Sequence, residues 1–555
     1  MKKINLIALV GIASACNAAT TTVSIPTVAQ GDNLQVVCAT SSNVMSVVSS
    51  TSNSYTLQCM APSPSPSPSP SPSPTATSTV VTLLNSMERP EFAPAGSFVS
   101  TMSTTLARNE IGGFVAKTPN PCGLVATGPS SLSITAYAMQ PYTTTTPSST
   151  SSTVGKYYDE LPPLNATTCV NAAYVWLDIT VSPTASPGVA PVMVGDAQLN
   201  VTINSLTIPT NPTLPMYVGV ESYGVLAGHG LSGATTGVNV QGPLVQSYVN
   251  MLRAHRIEPY GQFLAFPATL STGLLDIDNW STLNGSYREL VMNGAIAPPM
   301  MGPGAGTAPT QSMLQGIEAT IKANSITGAW IYLVDEPTAS QYPTIVSQAA
   351  LVHQYAPDLK VMVTTMPATG LSGVDIYSPV ENQFVKGSVP SPFFMYVSCM
   401  SHGACSGSTP AVLTGHPDLM LDESSTNELA FPLTVKVSGG SGVLYYQSQY
   451  AYSTPSGTSN PWTTQYFFAG NGDGNLFYPG TPTNGIGQTT NIPVASVRLK
   501  MLRAGQYLVD YANLSGVAIP SSLVPGVTGW SHSAADYAAY KLHAAGLSLK
   551  KGKKK

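Results

Sequence analysis

From about residue 213 onward the chain alternates short apolar runs with stretches whose apolar residues recur every three or four positions. The runs predict strands at 216–220, 258–264, 294–298, 329–334, 359–364, 374–377, 393–398 and 442–447. The periodic stretches predict amphipathic helices over 244–254, 313–324 and 342–355, and a closing helix from 495 to 514. Eight strands interleaved with helices over about 300 residues is the arithmetic of an α/β body of (β/α)8 TIM-barrel type, placed here at 213–515. Residues 399–417 read as a loop, and Pro432 interrupts a further helix candidate.

Upstream the period changes to two. Residues 173–181, Ala-Tyr-Val-Trp-Leu-Asp-Ile-Thr-Val, alternate, as do residues 197–208, and Gly, Pro and Ser clusters separate such runs. An all-β sandwich over 78–212 is the economical reading. Residues 20–60 form a small module of Val-, Ser- and Thr-rich strands, and a strict Ser-Pro alternation from Pro62 to Pro74 lies within a linker at 61–77. Proline fixes φ and removes donors, so that segment predicts an extended, semi-rigid spacer of about 40 Å at ~3.1 Å per residue. Residues 516–555 form an extension ending in a lysine-rich tail.

Charged residues make up only 9% of the chain and the formal net charge is -4, which offers no basic face for nucleic acid. Hydrophobic residues, at 43%, are enough to build packed cores. Met1-Lys2-Lys3, the apolar run from Ile4 to Ala13 and the small residues after it predict a secretory signal at 1–19, and hence a secreted, periplasmic or surface protein. Cys16, after Ala13-Ser14-Ala15, is a candidate lipid-attachment cysteine, although the usual leucine three places earlier is missing. The six other cysteines fall two by two into three regions. They predict the disulfides Cys38–Cys59, Cys122–Cys169 and Cys399–Cys405, the first stapling the small N-terminal module. The absence of any Cys-x-x-Cys pair argues against a metal centre, and no cofactor is expected.

Acidic residues are few enough that adjacent pairs carry information. Asp159-Glu160 precedes Leu161-Pro162-Pro163 and reads as a surface pair in a loop. Asp422-Glu423 precedes Ser424-Ser425 and reads as a structural pair capping the helix that follows. Asp335-Glu336 differs from both. It ends Trp330-Ile-Tyr-Leu-Val334, a run apolar on both faces as a buried parallel strand should be, and Pro337 stops the strand there. Both acids then lie at the carboxyl end of a barrel strand, where such folds keep their active sites. Strict alternation would point neighbours to opposite sides, so the backbone must turn for both to face one substrate. Paired carboxylates are what glycoside hydrolysis needs, one to protonate the leaving oxygen and one to stabilise the oxocarbenium-like centre. Among the aromatics, Trp330 and Tyr332 read as core. Tyr377, at a strand end, reads as a rim residue, Tyr396 as a substrate-binding residue if it faces inward, and Trp462 as a lid or subsite wall. Asp473, in Gly472-Asp-Gly474, reads as a turn residue.

Tyr332-Leu-Val-Asp-Glu-Pro337 resembles the strand-end motif of glycoside hydrolase family 123, the β-N-acetylgalactosaminidases. Further blocks resemble that family in order: Val175–Val181 with Pro183 and Gly188, Met395–Cys399, 442–446, 472–480 and 493–500. The resemblance spans about residues 170–514 and implies a sandwich before a catalytic barrel, acting on a glycan with a terminal 2-acetamido sugar. It implies a retaining, substrate-assisted mechanism in which the acetamido oxygen is the nucleophile. Asp335 would accept the acetamido N–H as the ionised stabiliser, Glu336 would act as acid and then base, and Tyr396 would donate to the acetamido carbonyl. Such a division of labour asks for a raised pKa at Glu336. The sequence departs from the family at Tyr446, where the family carries Trp, in the helix near Asn427, which lacks an Arg, and at Arg503-Ala-Gly505 and Asp510-Tyr-Ala-Asn-Leu514. A second reading, from a different class, is a non-catalytic carbohydrate-binding or adhesive surface protein held to a wall or membrane by its stalk and basic tail.

Overall fold

The computed structural model describes the strands Thr20–Ser24, Val44–Thr51 and Ser54–Met60, and then residues 80–547 except 86, 232–242, 261–290, 294–309, 408–409 and 453–459. The signal segment, Cys16, Cys38 and hence its disulfide, the Ser-Pro spacer, the 294–298 strand and the lysine tail lie outside the described residues. Residues 1–78 and 79–555 are two compact units. In the first, the three strands form an antiparallel sheet with the last strand in the middle.

The second unit begins with two facing sheets. Strands Thr101–Arg108, Ala197–Thr207, Gly188–Val194 and Ala126–Thr127 make a four-stranded sheet. The other sheet has seven strands. Five come from residues 82–181, with Tyr174–Val181 between Leu132–Thr143 and Ile111–Lys117. The period-two pattern is realised here: Val175, Leu177, Ile179 and Val181 pack between the sheets with Val192, Leu199 and Val201. Trp176 points the other way, into the core shared with the rest of the unit. Two strands the sequence pattern assigned to the later body, Phe477–Gly480 and Ile492–Ser496, extend this sheet at the edge of Lys156–Leu161. Cys122–Cys169 forms as expected, joining two short 3-10 turns beside the sheet.

The remainder is parallel. We label its strands β1 (Met216–Gly219), β2 (Glu258–Tyr260), β3 (Val291–Asn293), β4 (Trp330–Val334), β5 (Lys360–Val363), β6 (Ile376–Tyr377), β7 (Phe394–Val397) and β8 (Gly442–Tyr445). They form two four-stranded sheets, ordered β2-β1-β8-β7 and β3-β4-β5-β6. Two isolated parallel bridges, Tyr377 with Phe393 and Val380 with Tyr396, join β6 and the residues after it to β7. Neither sheet closes on itself, and among the described residues no ladder joins β2 to β3. Alternation along the strands separates two cores. Tyr217, Tyr260, Trp330, Tyr332, Met362, Phe394, Tyr396 and Leu444 meet in one inner cluster drawn from both sheets. Ile331, Val361, Met395 and Val443 face outward against helices such as Pro243–Ala254, Gln311–Ala323 and Tyr342–Tyr355.

Two helices hold the unit together. Thr426–Ser438 runs through Pro432 without breaking, contrary to the sequence expectation, and residues 399–402 of the expected loop form a short helix. Val497–Ser515 starts on a Ser496 side-chain cap and ends at Gly516 in the left-handed conformation. Gly505 lets these two helices touch, since a Cβ there would lie 2.7 Å from the Leu429 carbonyl. The closing helix docks on the seven-stranded sheet through buried ion pairs, Arg498 with Asp159 (3.0 Å) and Lys500 and Arg503 with Asp178 (2.6 Å each). Asp159-Glu160 is therefore no loop pair: both residues are buried on a strand. Asp422-Glu423 is structural but caps nothing. Asp422 accepts from the Ser148 backbone and from Asn471, and Glu423 from Ser149.

Candidate active site

Strand β4 is buried along its whole length, yet it does not end as a regular strand. Tyr332 pairs with Met362 and Val334 with Val363, so Leu333 is an extra residue, a bulge. Tyr332 therefore points into the inner cluster while Leu333 and Val334 both face outward. The shift in phase turns Asp335 inward, where a regular strand would have sent it to the helix side. Glu336 then takes φ +42°, the left-handed region that a non-glycine residue enters at a cost of about 1–2 kcal/mol. Its N–H donates to Thr364 Oγ1 at 2.7 Å, which holds the turn. The backbone thus bends where the sequence required it to.

The two carboxylates have different surroundings. Asp335 Oδ1 accepts from the Tyr332 hydroxyl and from Thr364 Oγ1 at 2.8 Å, so two hydroxyls from neighbouring strands fix its orientation. Glu336 reaches outward and accepts from the Tyr396 hydroxyl at 2.5 Å. Solvent touches one side of Glu336, but the protein around it desolvates the carboxyl and raises its pKa. The negative charge of Asp335 pushes the same way, and the Tyr396 hydrogen bond opposes both. One acid is thus oriented as an acceptor and its neighbour is biased toward keeping a proton. The inner cluster forms an aromatic floor beneath them, in which Trp330 meets Tyr217 and Phe394 edge-on, with centroids at 5.2 and 5.8 Å.

The other residues singled out from sequence are distributed unevenly. Tyr396 faces inward and is brought to the pair, where it donates to Glu336. Tyr377 is not: it is buried in the outer core, and its hydroxyl donates to the Leu371 carbonyl at 3.4 Å. In a two-residue strand its neighbour Ile376 takes the inward face. Trp462 also lies elsewhere, packed on Tyr478 of the seven-stranded sheet with Nε1 donating to the Pro479 carbonyl at 3.0 Å. Asp473 is buried as a turn acceptor for Tyr445 (3.0 Å) and Tyr446 (3.1 Å). Cys399–Cys405 forms as expected at the end of β7 and closes the short helix carrying Met400, which packs against the inner cluster.

One group at the same strand ends escaped the sequence reading. Glu221 lies two residues beyond the end of β1 and is half-buried; burial pushes its pKa up to about 7, against a hydrogen bond from Gln447. Its signal was present but quiet, a lone acid closing the apolar run 216–220 much as Asp335 closes β4. Among the described residues no group of three or more His, Cys, Asp or Glu is arranged to hold a metal ion. None of their helices is long and apolar enough to cross a membrane. A hollow of about 960 Å³ lined by Thr104, Phe114, Tyr507 and Ala538 includes neither carboxylate of the pair.

No protein-family model matches the sequence, and a search of curated proteins finds no match either. Solved structures do match. A family 123 glycoside hydrolase from Clostridium perfringens, studied for the hydrolysis of glycolipid glycans, superposes with a TM-score of 0.54 at 11% identity. The match covers 84% of this chain and 96% of that one, and the two share a fold. A glycosyl hydrolase family 2 member from Bacteroides cellulosilyticus matches 61% of this chain and 44% of its own at 10% identity, with a TM-score of only 0.27.

Proposed function

We propose that this protein is an exported glycoside hydrolase, a retaining exo-β-N-acetylhexosaminidase that uses the 2-acetamido group of its substrate as nucleophile. The observation that carries the reading is the adjacent pair Asp335-Glu336 at a strand end, one acid oriented by two hydroxyls and the other with a raised pKa. The strand order and the shared inner cluster support a (β/α)8 barrel, with the β2–β3 seam as its remaining junction. The fold shared with a family 123 enzyme supports the reaction class. The disulfides and the N-terminal apolar run support export.

In this mechanism Glu336 protonates the glycosidic oxygen as the bond to the anomeric carbon breaks. The acetamido carbonyl oxygen closes on that carbon, and Asp335 accepts the acetamido N–H and stabilises the oxazolinium positive charge. Glu336, now ionised, takes a proton from water, which opens the ring with net retention. No protein nucleophile is required. The test is hydrolysis of aryl N-acetyl-β-galactosaminide and glucosaminide beside the same glycosides lacking the acetamido group. Turnover of the acetamido sugars alone, reduced by about 10²-fold or more in Glu336→Gln, is the expected result. Cleavage of the sugars without the acetamido group would exclude the substrate-assisted route, and full activity in Glu336→Gln would remove that residue from it. Binding to glycans with no turnover would return the protein to the adhesive class.

A further inference from the structure

Apart from its hydrogen bond from Gln447, the Glu221 carboxyl has no evident structural employment. It stands at the N-cap of the helix Ser222–Gly228, but its side chain makes no capping hydrogen bond. Among the described residues it takes part in no ion pair. A half-buried carboxyl without a cation is costly to keep unless something else uses it. The chain does hold it in place, since Gln449 Nε2 donates to the Glu221 carbonyl at 3.1 Å and Ser448 Oγ to that of Gly219 at 2.8 Å. Gly219 permits this close approach of β1 to β8, because a Cβ there would sit 2.0 Å from the Tyr446 carbonyl oxygen.

Half-buried rings stand beside this carboxyl. Tyr450 feels the Glu221 charge, and its ring lies 4.7 Å from that of Phe468. Phe468 and Ala469 form the two-residue turn between Tyr466–Phe467 and Gly470–Asn471, both left-handed at φ +51° and +61°. Asn-Gly would occupy such a turn without strain, whereas an aromatic residue there is strained, and strain of this kind collects at functional sites. A chain of contacts links this group to the acid pair. Phe468 meets Tyr446 at 6.0 Å, the Tyr260 hydroxyl donates to the Tyr446 carbonyl at 3.5 Å, and the Tyr260 ring is 6.3 Å from Tyr332, which binds Asp335.

We propose that Glu221, held by the buried Gln447 amide, and the Phe468 ring form the specificity-determining wall of this site. In that arrangement they bind the hydroxyl-bearing edge of the pyranose, away from the bond that is cleaved. A half-buried carboxyl offers acceptors to two vicinal hydroxyls, and the open side of a half-buried ring accepts the apolar face of a sugar. A wall that holds the far edge of the sugar also closes that end of the site, which is what exo action requires. The inference rests on the hydrolase reading for its substrate class, but its test does not depend on turnover.

Free N-acetylgalactosamine and N-acetylglucosamine are titrated calorimetrically into wild-type protein, Glu221→Ala, Glu221→Gln and Phe468→Asn, the last a residue that tolerates the left-handed backbone. Melting curves confirm that each variant folds. The expected result is affinity about tenfold weaker or worse in Glu221→Ala and Phe468→Asn, with a smaller loss in Glu221→Gln. The preference between the two sugars, which differ only in the hydroxyl at C4, should shrink in Glu221→Ala. With aryl glycosides the same variants should raise KM far more than they lower kcat. Unchanged affinity and unchanged preference in Glu221→Ala would overturn the proposal. If wild-type protein binds these sugars but cleaves none of their aryl glycosides, the hydrolase reading fails while the binding titrations still decide the role of Glu221. If it neither binds nor cleaves them, both fall.

Discussion

At the scale of single residues, the two acids are distinguished by what donates to them. Glu336 receives one hydroxyl, from Tyr396, and that bond favours its ionised form against burial and the charge of Asp335. In its proposed role as general acid Glu336 works only while protonated, so activity should fall as pH rises through its raised pKa. Removing the donor takes away stabilisation of the carboxylate, and the pKa must rise further. In Tyr396→Phe the alkaline limb of kcat/KM should therefore move up by about one pH unit, readable in the pH–rate profile of an aryl substrate. A limb that stays in place would mean that Tyr396 does not govern the acid. Tyr396 was legible from sequence as an aromatic of the strand at 393–398 but not as the partner of Glu336, because that contact spans the ends of β4 and β7.

At the scale of elements, the acid pair was legible because a buried strand reads as an unbroken apolar run and Pro337 marks its end. The bulge at Leu333 was not legible: no glycine announces it, and Leu333 is chemically like its neighbours. Facing was the general difficulty. Tyr377 was misplaced by one position in a strand of two residues. Asp159 reads as a loop residue because Pro162-Pro163 follow so closely, whereas the strand runs to Leu161 and is buried against Arg498, 339 residues away. Trp462 followed from its composition alone, and its partner Tyr478 lies on a strand that joins the first sheet. The turn at Glu336 can be tested directly. Glycine is ordinarily less stabilising than alanine, but at φ +42° the order should reverse. Glu336→Gly should be about 1 kcal/mol more stable than Glu336→Ala in denaturant unfolding, although both lack the acid. Equal stability, or a more stable alanine variant, would show that the turn carries no strain.

At the scale of the molecule, buried charges set how stability depends on pH. Asp178 accepts from Lys500 and Arg503, which hold its pKa below the ordinary range despite burial. A depressed carboxylate contributes stability above its unfolded pKa of about 3.9 and loses it as pH falls further. Glu428 is the opposite case. It is fully buried, neither carboxyl oxygen has a hydrogen-bond partner, and burial pushes its pKa up to about 8 against the pull of Arg89. Its contribution is complete below about pH 4.3 and is lost as pH rises through about 8. Stability should therefore be greatest in mildly acidic solution. Glu428→Gln, which cannot ionise, should melt above wild type at pH 8.5 and close to it at pH 5; matching melting curves at both would exclude Glu428 as the source of the alkaline loss. The seven-stranded sheet has a consequence of another kind. Its last two strands lie at 477–480 and 492–496, while their neighbour at 156–161 is made early. On the ribosome, and during any passage through a translocation pore, that neighbour waits with a bare edge until the end of the chain emerges. A polypeptide cut short before residue 492 never covers it.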